Sequence, residues 1–273
     1  MLENVSVVAT DLDGTLLRRD GTISERTRAA MAAASDVGIE VVVVTARPFR
    51  FLQEIERLHV HGVAVCVNGA LVMDLAKGTP VSSRLLDVEG ASAAVAALRE
   101  ALGDVAFAVE TVDWYGHEAQ YRSEWPAPAG SPVAPVESLI SGGVLKLLGR
   151  HHEIHVDRLA EIAALVGPGA SVTCSMSSGL VEIGPAGVTK ASALHEVVDG
   201  LGRSAGDVVA VGDMPNDLPM LRWAGTSAAV ANAHPDLLAE VDRILPSNDD
   251  DGVATLLEQV VDLRSAAGSR PHP

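Results

Sequence analysis

The sequence has few aromatic residues, only two cysteines and no long hydrophobic run. Aromatic residues make up 3% of the 273 residues although hydrophobic residues reach 48%, so we expect a core of Ala, Val and Leu. Cys66 and Cys174 lie far apart in the sequence, which favours reduced thiols over a disulfide. No apolar run reaches transmembrane length, and the first strand begins too close to Met1 for a signal peptide. These absences predict a soluble, cytoplasmic protein.

Positive charge is also in short supply. Lys and Arg together number 20 against 36 Asp and Glu, which gives a net charge of −16. Such a chain is not expected to bind nucleic acid or an anionic membrane. If the substrate is an anion, the site must supply local positive charge, and a bound divalent cation would do so.

The first third of the chain alternates between strand and helix patterns. Ser24 has the features of an N-cap for an Ala-rich helix that ends near Val37, and a further helix is predicted from Pro48 to about Leu58. Continuous apolar runs of the kind found in strands buried on both faces are Val5–Ala9, Glu40–Thr45 and Val63–Val67. This rhythm predicts an α/β fold, a Rossmann-like doubly wound parallel sheet with helices on both faces.

The rhythm changes near residue 80 and resumes at Thr189, which has the features of a helix cap. Residues 85–184 contain five of the eight aromatic residues and a mixture of helix and strand patterns. We therefore expect an inserted α+β cap domain at 85–184 and a discontinuous core domain formed by 1–84 and 185–265. The remainder, 266–273, is expected to be a disordered tail.

Two carboxylates follow the first predicted strand, at Asp11 and Asp13. Side chains alternate along an extended chain, so both can point into one site while Leu12 points into the core. The carboxyl edge of a parallel sheet is where open α/β folds bind ligands. The alternative is an ordinary Asp/Gly turn made with Gly14.

Three further segments place polar groups at strand ends or helix starts. Thr45 follows a strand and precedes the amides of Ala46 and Arg47, which form a natural anion site; Lys190 begins a helix and supplies a point charge. A loop with two carboxylates and an amide follows the strand at 208–211 and comprises Gly212, Asp213, Met214, Pro215, Asn216 and Asp217. Taken singly, Thr45 could be only a cap, Lys190 a solvated lysine and the loop an Asx-turn. Their occurrence together, in this order along the chain, favours a phosphoryl-transfer site.

That conjunction resembles the haloacid dehalogenase superfamily. Asp11-Leu12-Asp13-Gly14-Thr15-Leu16 matches its first motif, Thr45 its second, Lys190 its third and Gly212 to Asp217 its fourth. Further similarity to the Cof-type phosphatases, whose cap lies between the second and third motifs, extends over Thr45-Ala46-Arg47-Pro48, Asn68-Gly69-Ala70, Asn232-Ala233 and 247–253. Ala191 departs from the glycine that often follows the lysine in relatives, but it leaves Lys190 in place.

The resemblance implies a role for each matching residue. Asp11 would be the nucleophile that forms an aspartyl-phosphate, and Asp13 the general acid and base. Mg²⁺ would bind Asp11, the Asp13 carbonyl and Asp213, while Asp217 would orient Lys190 or support the metal. The groups expected to hold the phosphoryl group or the rest of the substrate are Thr45, Arg47, Asn68, Gly69, Lys190 and Asn216.

The sequence therefore predicts a magnesium-dependent phosphatase for small phosphorylated metabolites such as sugar phosphates. A phosphomutase with the same intermediate and a non-catalytic binding protein of the same fold are the alternatives, and the oligomeric state is expected to be monomer or homodimer. In the cap, Trp114, Tyr115 and His117 are candidates for contacting the leaving group. We interpret the cluster of His151, His152 and His155 as a solvated turn rather than a metal site.

Overall fold

The computed structural model describes residues 2–52, 62–123, 125–154, 156–174 and 179–268. Its strands are β1 (Val7–Asp11), β2 (Glu40–Val44), β3 (Val63–Cys66), β4 (Leu71–Asp74), β5 (Thr79–Ser83), β6 (Ala106–Glu110), β7 (Tyr115–His117), β8 (Lys146–Arg150), β9 (Ala170–Cys174), β10 (Leu180–Pro185), β11 (Val208–Gly212), β12 (Thr226–Val230) and β13 (Arg243–Leu245). Its helices are α1 (Glu25–Asp36), α2 (Val88–Leu102), α3 (Val136–Leu139), α4 (Leu159–Val166), α5 (Lys190–Gly200), α6 (Leu218–Trp223), α7 (Pro235–Leu238) and α8 (Gly252–Gly268).

The chain divides into two compact units, Met1–Val81 with Thr189–Pro273, and Ser82–Val188. The first contains a sheet in the order β13-β12-β11-β1-β2-β3-β4-β5. Its central strands are parallel, and β4 returns antiparallel to β3. The predicted α/β fold class with a parallel sheet is confirmed.

Apolar runs form the centre of this sheet. Residues 7–9, 41–44 and 208–211 are buried, as expected for parallel strands covered on both faces. Side-chain caps fix the helix starts next to them. Ser24 accepts a hydrogen bond from the Thr27 amide at the start of α1, and Thr189 and Ser192 form a reciprocal capping box at the start of α5.

The second unit contains an antiparallel sheet in the order β7-β6-β8-β10-β9. Helices α2 and α4 supply Leu98 and Ile162 to a core that also contains Phe107, Leu147 and Val181. Strands and helices are thus mixed as predicted for an α+β module. The predicted boundaries after 84 and before 185 differ by a few residues from the division at Val81 and Thr189.

The structure differs from the sequence prediction mainly at the ends of elements. Strands β5 and β13 were not predicted, because β5 is exposed throughout and β13 buries only Leu245. Helix α8 continues to Gly268, so residues 266–268 are helical rather than part of a disordered tail; Ala266 and Ala267 are good helix formers. Residues 269–273 lie outside the described part of the chain.

Three other predictions can be compared only in part. The helix predicted from Pro48 to Leu58 falls largely on residues 53–61, which lie outside the described residues, and the part before them is a 3₁₀ turn, Phe49–Phe51. Cys66 is a free, buried thiol, and burial raises its pKa to about 12. Within the described ranges, the helices are too short or too polar to cross a membrane.

Candidate active site

The carboxyl ends of β1, β2 and β11 lie side by side in the first unit. Strand β1 is between the other two, with Asp11 opposite Val44 and Thr10 opposite Val211. Thr45 therefore follows β2 next to Asp11, and Asp213 follows β11 on the other side. The register of the parallel strands thus brings the first, second and fourth predicted segments to one edge of the sheet, as ligand sites in this fold class require.

Lys190 joins this edge from the first position of α5. Its Nζ donates to Oδ1 of Asp11 at 2.5 Å and to Oδ1 of Asp217 at 2.7 Å. All three residues are buried, with exposed fractions of 4%, 5% and 0% in that order. One ammonium group therefore bridges a carboxylate from β1 and a carboxylate from the loop after β11.

The second oxygen of Asp217 is also engaged. Its Oδ2 accepts hydrogen bonds from the amides of Asp213 and Met214, both at 3.1 Å. Gly212 makes this possible, because a Cβ there would lie 2.6 Å from the Cβ of Asp217. Since protein donors already reach both oxygens, Asp217 fits the role of orienting Lys190 and the Asp213 loop better than that of a direct metal ligand.

Asp213 faces the turn that follows β1. Its Oδ1 accepts a hydrogen bond from the Thr15 hydroxyl at 3.0 Å. Its Oδ2 lies against Gly14, whose φ of +77° favours glycine and where any Cβ would collide with that oxygen. The sequence Asp-Gly-Thr therefore shapes a turn that receives Asp213.

The carboxylates of Asp11, Asp213 and Asp217 form an oxygen-rich cluster. One oxygen from each of the three lies within 4.8 Å of the other two. Three buried acids face one buried lysine, and hard oxygen ligands with excess negative charge are what Mg²⁺ and similar cations bind. The residues present therefore fit a divalent cation, with Asp11 and Asp213 as the side chains best placed to hold it.

Burial and mutual repulsion shift the pKa values in this cluster. Burial, together with Asp217, raises the pKa of Asp11 well above its ordinary value, although Lys190 opposes this. Burial and Asp217 raise the pKa of Asp213 to about 6. Burial alone would lower the pKa of Lys190, but Asp11 and Asp217 together raise it above its ordinary value. The lysine stays charged, and the cluster has affinity for further positive charge.

Asp13 lies in the turn after β1 and pairs with Arg47. The guanidinium donates from Nε to Oδ2 at 2.8 Å and from Nη2 to Oδ1 at 2.5 Å. The side chain of Asp13 is 52% exposed and that of Arg47 28% exposed. The main-chain amide of Arg47 donates to the Oγ1 of buried Thr45 at 3.0 Å. The first and second predicted segments therefore meet through side chains as well as through strand register.

The remaining predicted substrate residues, Asn68, Gly69 and Asn216, lie in turns of the first unit and have different surroundings. Asn68 is in the turn between β3 and β4, with a φ of +54°, and its amide donates to the Thr45 carbonyl at 3.1 Å. Gly69 packs closely against the start of α5, since a Cβ there would collide with the Thr189 carbonyl. Asn216 is exposed in the turn Pro215–Asp217 before α6.

Two asparagines that received no predicted role hold the turn after β1. Nδ2 of Asn232 donates to the Gly14 carbonyl, and Nδ2 of Asn248 donates to the Leu17 carbonyl, both at 2.8 Å. They also contact each other, through the Asn248 amide and Oδ1 of Asn232 at 2.9 Å. Asn232 follows β12 and Asn248 follows β13 by a few residues. A search for polar residues just after predicted strands, which identified Thr45, could therefore have identified them as well.

In the second unit, the residues singled out from the sequence differ in burial. His151 is buried, and its Nδ1 accepts a hydrogen bond from the Glu153 amide at 3.2 Å, while His152 is exposed. The predicted solvated turn therefore fits His152 but not His151, which is buried; His155 lies outside the described residues. Trp114 is exposed, Tyr115 is buried and His117 is half-buried on β7.

Sequence reasoning missed several buried charged groups of this unit, among them Glu118 and Lys146. Glu118 accepts hydrogen bonds from the amides of Phe107 at 2.9 Å and Val136 at 3.1 Å. Lys146 on β8 pairs with Glu182 on β10 at 2.8 Å. No sequence motif marks these contacts, because the residues that they join are 11 to 36 positions apart in the chain.

A parallel sheet whose strand ends carry Asp11, Thr45 and the Asp213 loop, with a second unit inserted in the chain before Lys190, defines a Rossmann-like α/β protein with an inserted unit. The model of the haloacid dehalogenase-like hydrolases matches residues 8–257, and the chain belongs to this family.

The chain is similar over most of its length to several curated proteins of bacteria. The stress response protein YhaX of Bacillus subtilis is 28% identical over 96% of this chain and 95% of its own length. The 5-amino-6-(5-phospho-D-ribitylamino)uracil phosphatase YwtE of the same organism is 29% identical, covering 93% and 97%. The pyridoxal phosphate phosphatase YbhA of Escherichia coli is 27% identical, covering 92% and 97%.

Solved structures share the fold. The phosphatase BT1666 of Bacteroides thetaiotaomicron superposes with a TM-score of 0.81 at 23% identity, over 94% of this chain and 96% of that chain. TM0651 of Thermotoga maritima superposes with a TM-score of 0.78 at 25% identity, over 93% and 97%. The agreement over both units supports the fold class assigned above.

Proposed function

We propose that the chain is a magnesium-dependent phosphatase that hydrolyses small phosphorylated metabolites through an aspartyl-phosphate on Asp11. The observation that carries this proposal is the buried bridge from Lys190 to Asp11 and Asp217 at the sheet edge. A carboxylate needs no deprotonation to attack phosphorus, and a fixed ammonium beside it balances the charge of a phosphoryl group.

In the first step, an oxygen of Asp11 attacks phosphorus and forms a P–O bond while the bond from phosphorus to the alcohol oxygen breaks. Asp13 donates a proton to the departing oxygen, so the product is an alcohol rather than an alkoxide. Lys190 and the hydroxyl of Thr45 bind the phosphoryl oxygens. The Thr45 Oγ1 accepts the Arg47 amide at 3.0 Å and, as a hydroxyl, also has a proton to donate.

In the second step, water attacks the phosphorus of the aspartyl-phosphate. Asp13, now a carboxylate, takes the proton from that water as the P–O bond to Asp11 breaks. Inorganic phosphate leaves, Asp11 returns as a carboxylate, and Asp13 again holds the proton that it gave away. One residue thus serves as acid and then as base, which balances the protons over the cycle.

The cluster of Asp11 and Asp213, together with the main-chain carbonyl of Asp13, would hold Mg²⁺. When bound, this cation neutralises charge on the phosphoryl oxygens and reduces repulsion between the dianion and the carboxylates. Without it, the excess of buried acids over Lys190 would repel an anionic substrate.

The substrate class is proposed from the relatives as well as from the site. Relatives carry names as phosphatases of 5-amino-6-(5-phospho-D-ribitylamino)uracil and of pyridoxal phosphate, and one similar structure is described as a sugar phosphatase. Small phosphomonoesters of this kind, including sugar phosphates, are therefore the proposed substrates. A cytoplasmic location and a monomeric or homodimeric state stay predictions from the sequence.

The phosphomutase alternative uses the same aspartyl-phosphate but passes the phosphoryl group to a second hydroxyl. Release of inorganic phosphate in place of an isomeric sugar phosphate separates the two. A non-catalytic binding protein is disfavoured because Asp11, Asp13, Lys190 and Asp213 are all present and three of them lie in one buried cluster.

A phosphate-release screen with added Mg²⁺ tests the proposal. The panel contains sugar phosphates, pyridoxal phosphate, 5-amino-6-(5-phospho-D-ribitylamino)uracil and p-nitrophenyl phosphate. We expect hydrolysis that EDTA abolishes and that Asp11→Asn lowers by at least a thousandfold. Asp36→Asn, at the exposed end of α1, is the matched control and retains activity. An active Asp11→Asn variant contradicts the proposed nucleophile.

A further inference from the structure

We propose that Arg47 is a positioning residue that holds the Asp13 carboxylate for proton transfer, and that this is the main way it contributes to the reaction. The inference rests on the proposed function, because it gives Asp13 the role of acid and base. It differs from the prediction that Arg47 acts by binding the substrate itself.

The first observation is the geometry of the pair. Nε and Nη2 of Arg47 reach the two oxygens of Asp13 at 2.8 and 2.5 Å, which is the fork-to-fork arrangement that fixes both the place and the plane of a carboxylate. The third nitrogen, Nη1, donates to the Phe51 carbonyl at 3.4 Å. Each nitrogen of the guanidinium is thus engaged with the protein.

The second observation is that the main chain of Arg47 is itself fixed. Its amide donates to Oγ1 of Thr45 at 3.0 Å, and its carbonyl accepts from the Val67 amide at 3.0 Å. These contacts tie Arg47 to the end of β2 and to the turn after β3. The guanidinium therefore extends from an anchored segment rather than from a free loop.

The third observation is that Asp13 is not held by packing. Its side chain is 52% exposed, and it precedes Gly14, which has a φ of +77°. A half-exposed carboxylate in a turn has several rotamers available, whereas proton transfer needs one placement within a fraction of an ångström. Arg47 occupies one lone pair on each oxygen and leaves the other free to carry or take up a proton, so the ion pair selects that placement without blocking proton transfer.

A residue that acts through Asp13 loses its effect when Asp13 can no longer transfer a proton. This is tested with a double-mutant cycle of Asp13→Asn and Arg47→Met, read as kcat/KM for an alkyl phosphate in the presence of Mg²⁺. We expect Asp13→Asn to lower kcat/KM by about 10²–10⁴-fold and Arg47→Met alone by about 10–10²-fold. The double variant should differ from Asp13→Asn by less than threefold.

Independent binding of the phosphoryl group by Arg47 gives a different result. The losses then multiply, and the double variant is worse than Asp13→Asn by the full effect of Arg47→Met. A difference of threefold or more overturns the inference, as does an Arg47→Met variant that loses less than threefold by itself.

The leaving group supplies a second readout that a purely structural role would not change. Protonation by Asp13 matters most when an alkoxide leaves, and least when p-nitrophenolate leaves. Arg47→Met should therefore lower kcat/KM for the alkyl phosphate at least threefold more than for p-nitrophenyl phosphate. An equal loss for both esters contradicts positioning through Asp13.

Arg26→Met is the matched control. Arg26 forms the same bidentate pair with Glu258, at 2.9 and 2.6 Å, on the exposed surface of the first unit. Its replacement should leave kcat/KM unchanged for both substrates. Circular dichroism and urea unfolding verify that each variant is folded, and Arg47→Gln repeats the cycle with a polar side chain. If the wild type releases no phosphate, the proposed function fails and the inference with it; if the wild type is active and the losses multiply, only the inference fails.

Discussion

Replacing Lys190 with methionine removes the only cation that contacts both Asp11 and Asp217 in the described residues. Its ammonium lies 2.5 and 2.7 Å from the two carboxylates, and the three side chains are almost completely buried. Removing one partner of a buried ion pair leaves an uncompensated charge and costs about 3–5 kcal/mol. We therefore expect Lys190→Met to lower the free energy of unfolding by about that amount at pH 8 in EDTA.

The loss should depend on pH with a definite sign. Burial already raises the pKa of Asp11, and without Lys190 its pKa rises further. A carboxyl whose pKa is higher in the folded state destabilises that state as the pH rises, because the folded form must give up a proton that it holds more tightly. Lys190→Met should therefore cost less at pH 5, where Asp11 can take up a proton.

The assay is urea unfolding of wild type and Lys190→Met in EDTA at pH 5 and pH 8. Lys77→Met is the matched control, because Lys77 pairs with Asp74 on the surface and an exposed pair contributes at most about 1 kcal/mol. A loss below about 1 kcal/mol for Lys190→Met at pH 8, or a loss that does not shrink at pH 5, refutes the account of a buried, charged bridge.

Three further changes test the structure around this bridge by urea unfolding. Between about pH 4 and about pH 6 in EDTA, the free energy of unfolding of wild type should fall by about 1–3 kcal/mol more than that of Asp213→Asn. The reason is that the pKa of Asp213 is raised to about 6 in the folded state. Gly69→Ala should cost about 2 kcal/mol or more, because its φ is +107° and the added Cβ collides with the Thr189 carbonyl. Asn248→Ala should cost about 1–3 kcal/mol, because it removes the buried donor to the Leu17 carbonyl.

Each of these changes has a control at an open position. Asp36→Asn should leave the pH dependence intact, and a wild-type profile parallel to that of Asp213→Asn contradicts the raised pKa. Gly78 also has a positive φ, but a Cβ added there would meet no other atom within 4 Å, so Gly78→Ala should cost clearly less than Gly69→Ala. Asn216→Ala, at an exposed turn, should change stability by less than Asn248→Ala; equal costs would contradict a specific role for Asn248.

The parts of the fold that could be predicted are those determined by local sequence. The apolar runs around Val8, Val42 and Val209 have the composition of strands buried on both faces, and Ser24 and Thr189 cap the helices as expected. Parallel strands place their carboxyl ends at one edge, so short-range patterns were enough to bring Asp11, Thr45 and the Asp213 loop together.

The parts that could not be predicted depend on contacts between distant segments. Exposed β5 and the short β13 have little apolar pattern of their own and form at the sheet edges. The pairing of Asp13 with Arg47 and the buried ion pair of Lys146 with Glu182 join residues whose spacing in the chain follows no period. Which donor binds each of these carboxylates is therefore known only from the folded structure.

The central claim is that Asp11 accepts the phosphoryl group. Its most direct test is a single turnover with a ³²P-labelled phosphomonoester, quenched in acid within milliseconds and followed by peptide mapping. We predict that the label appears transiently on the peptide that contains Asp11 and is absent from the Asp11→Asn variant. Label on another residue, or product release from wild type without any labelled peptide, would contradict the account.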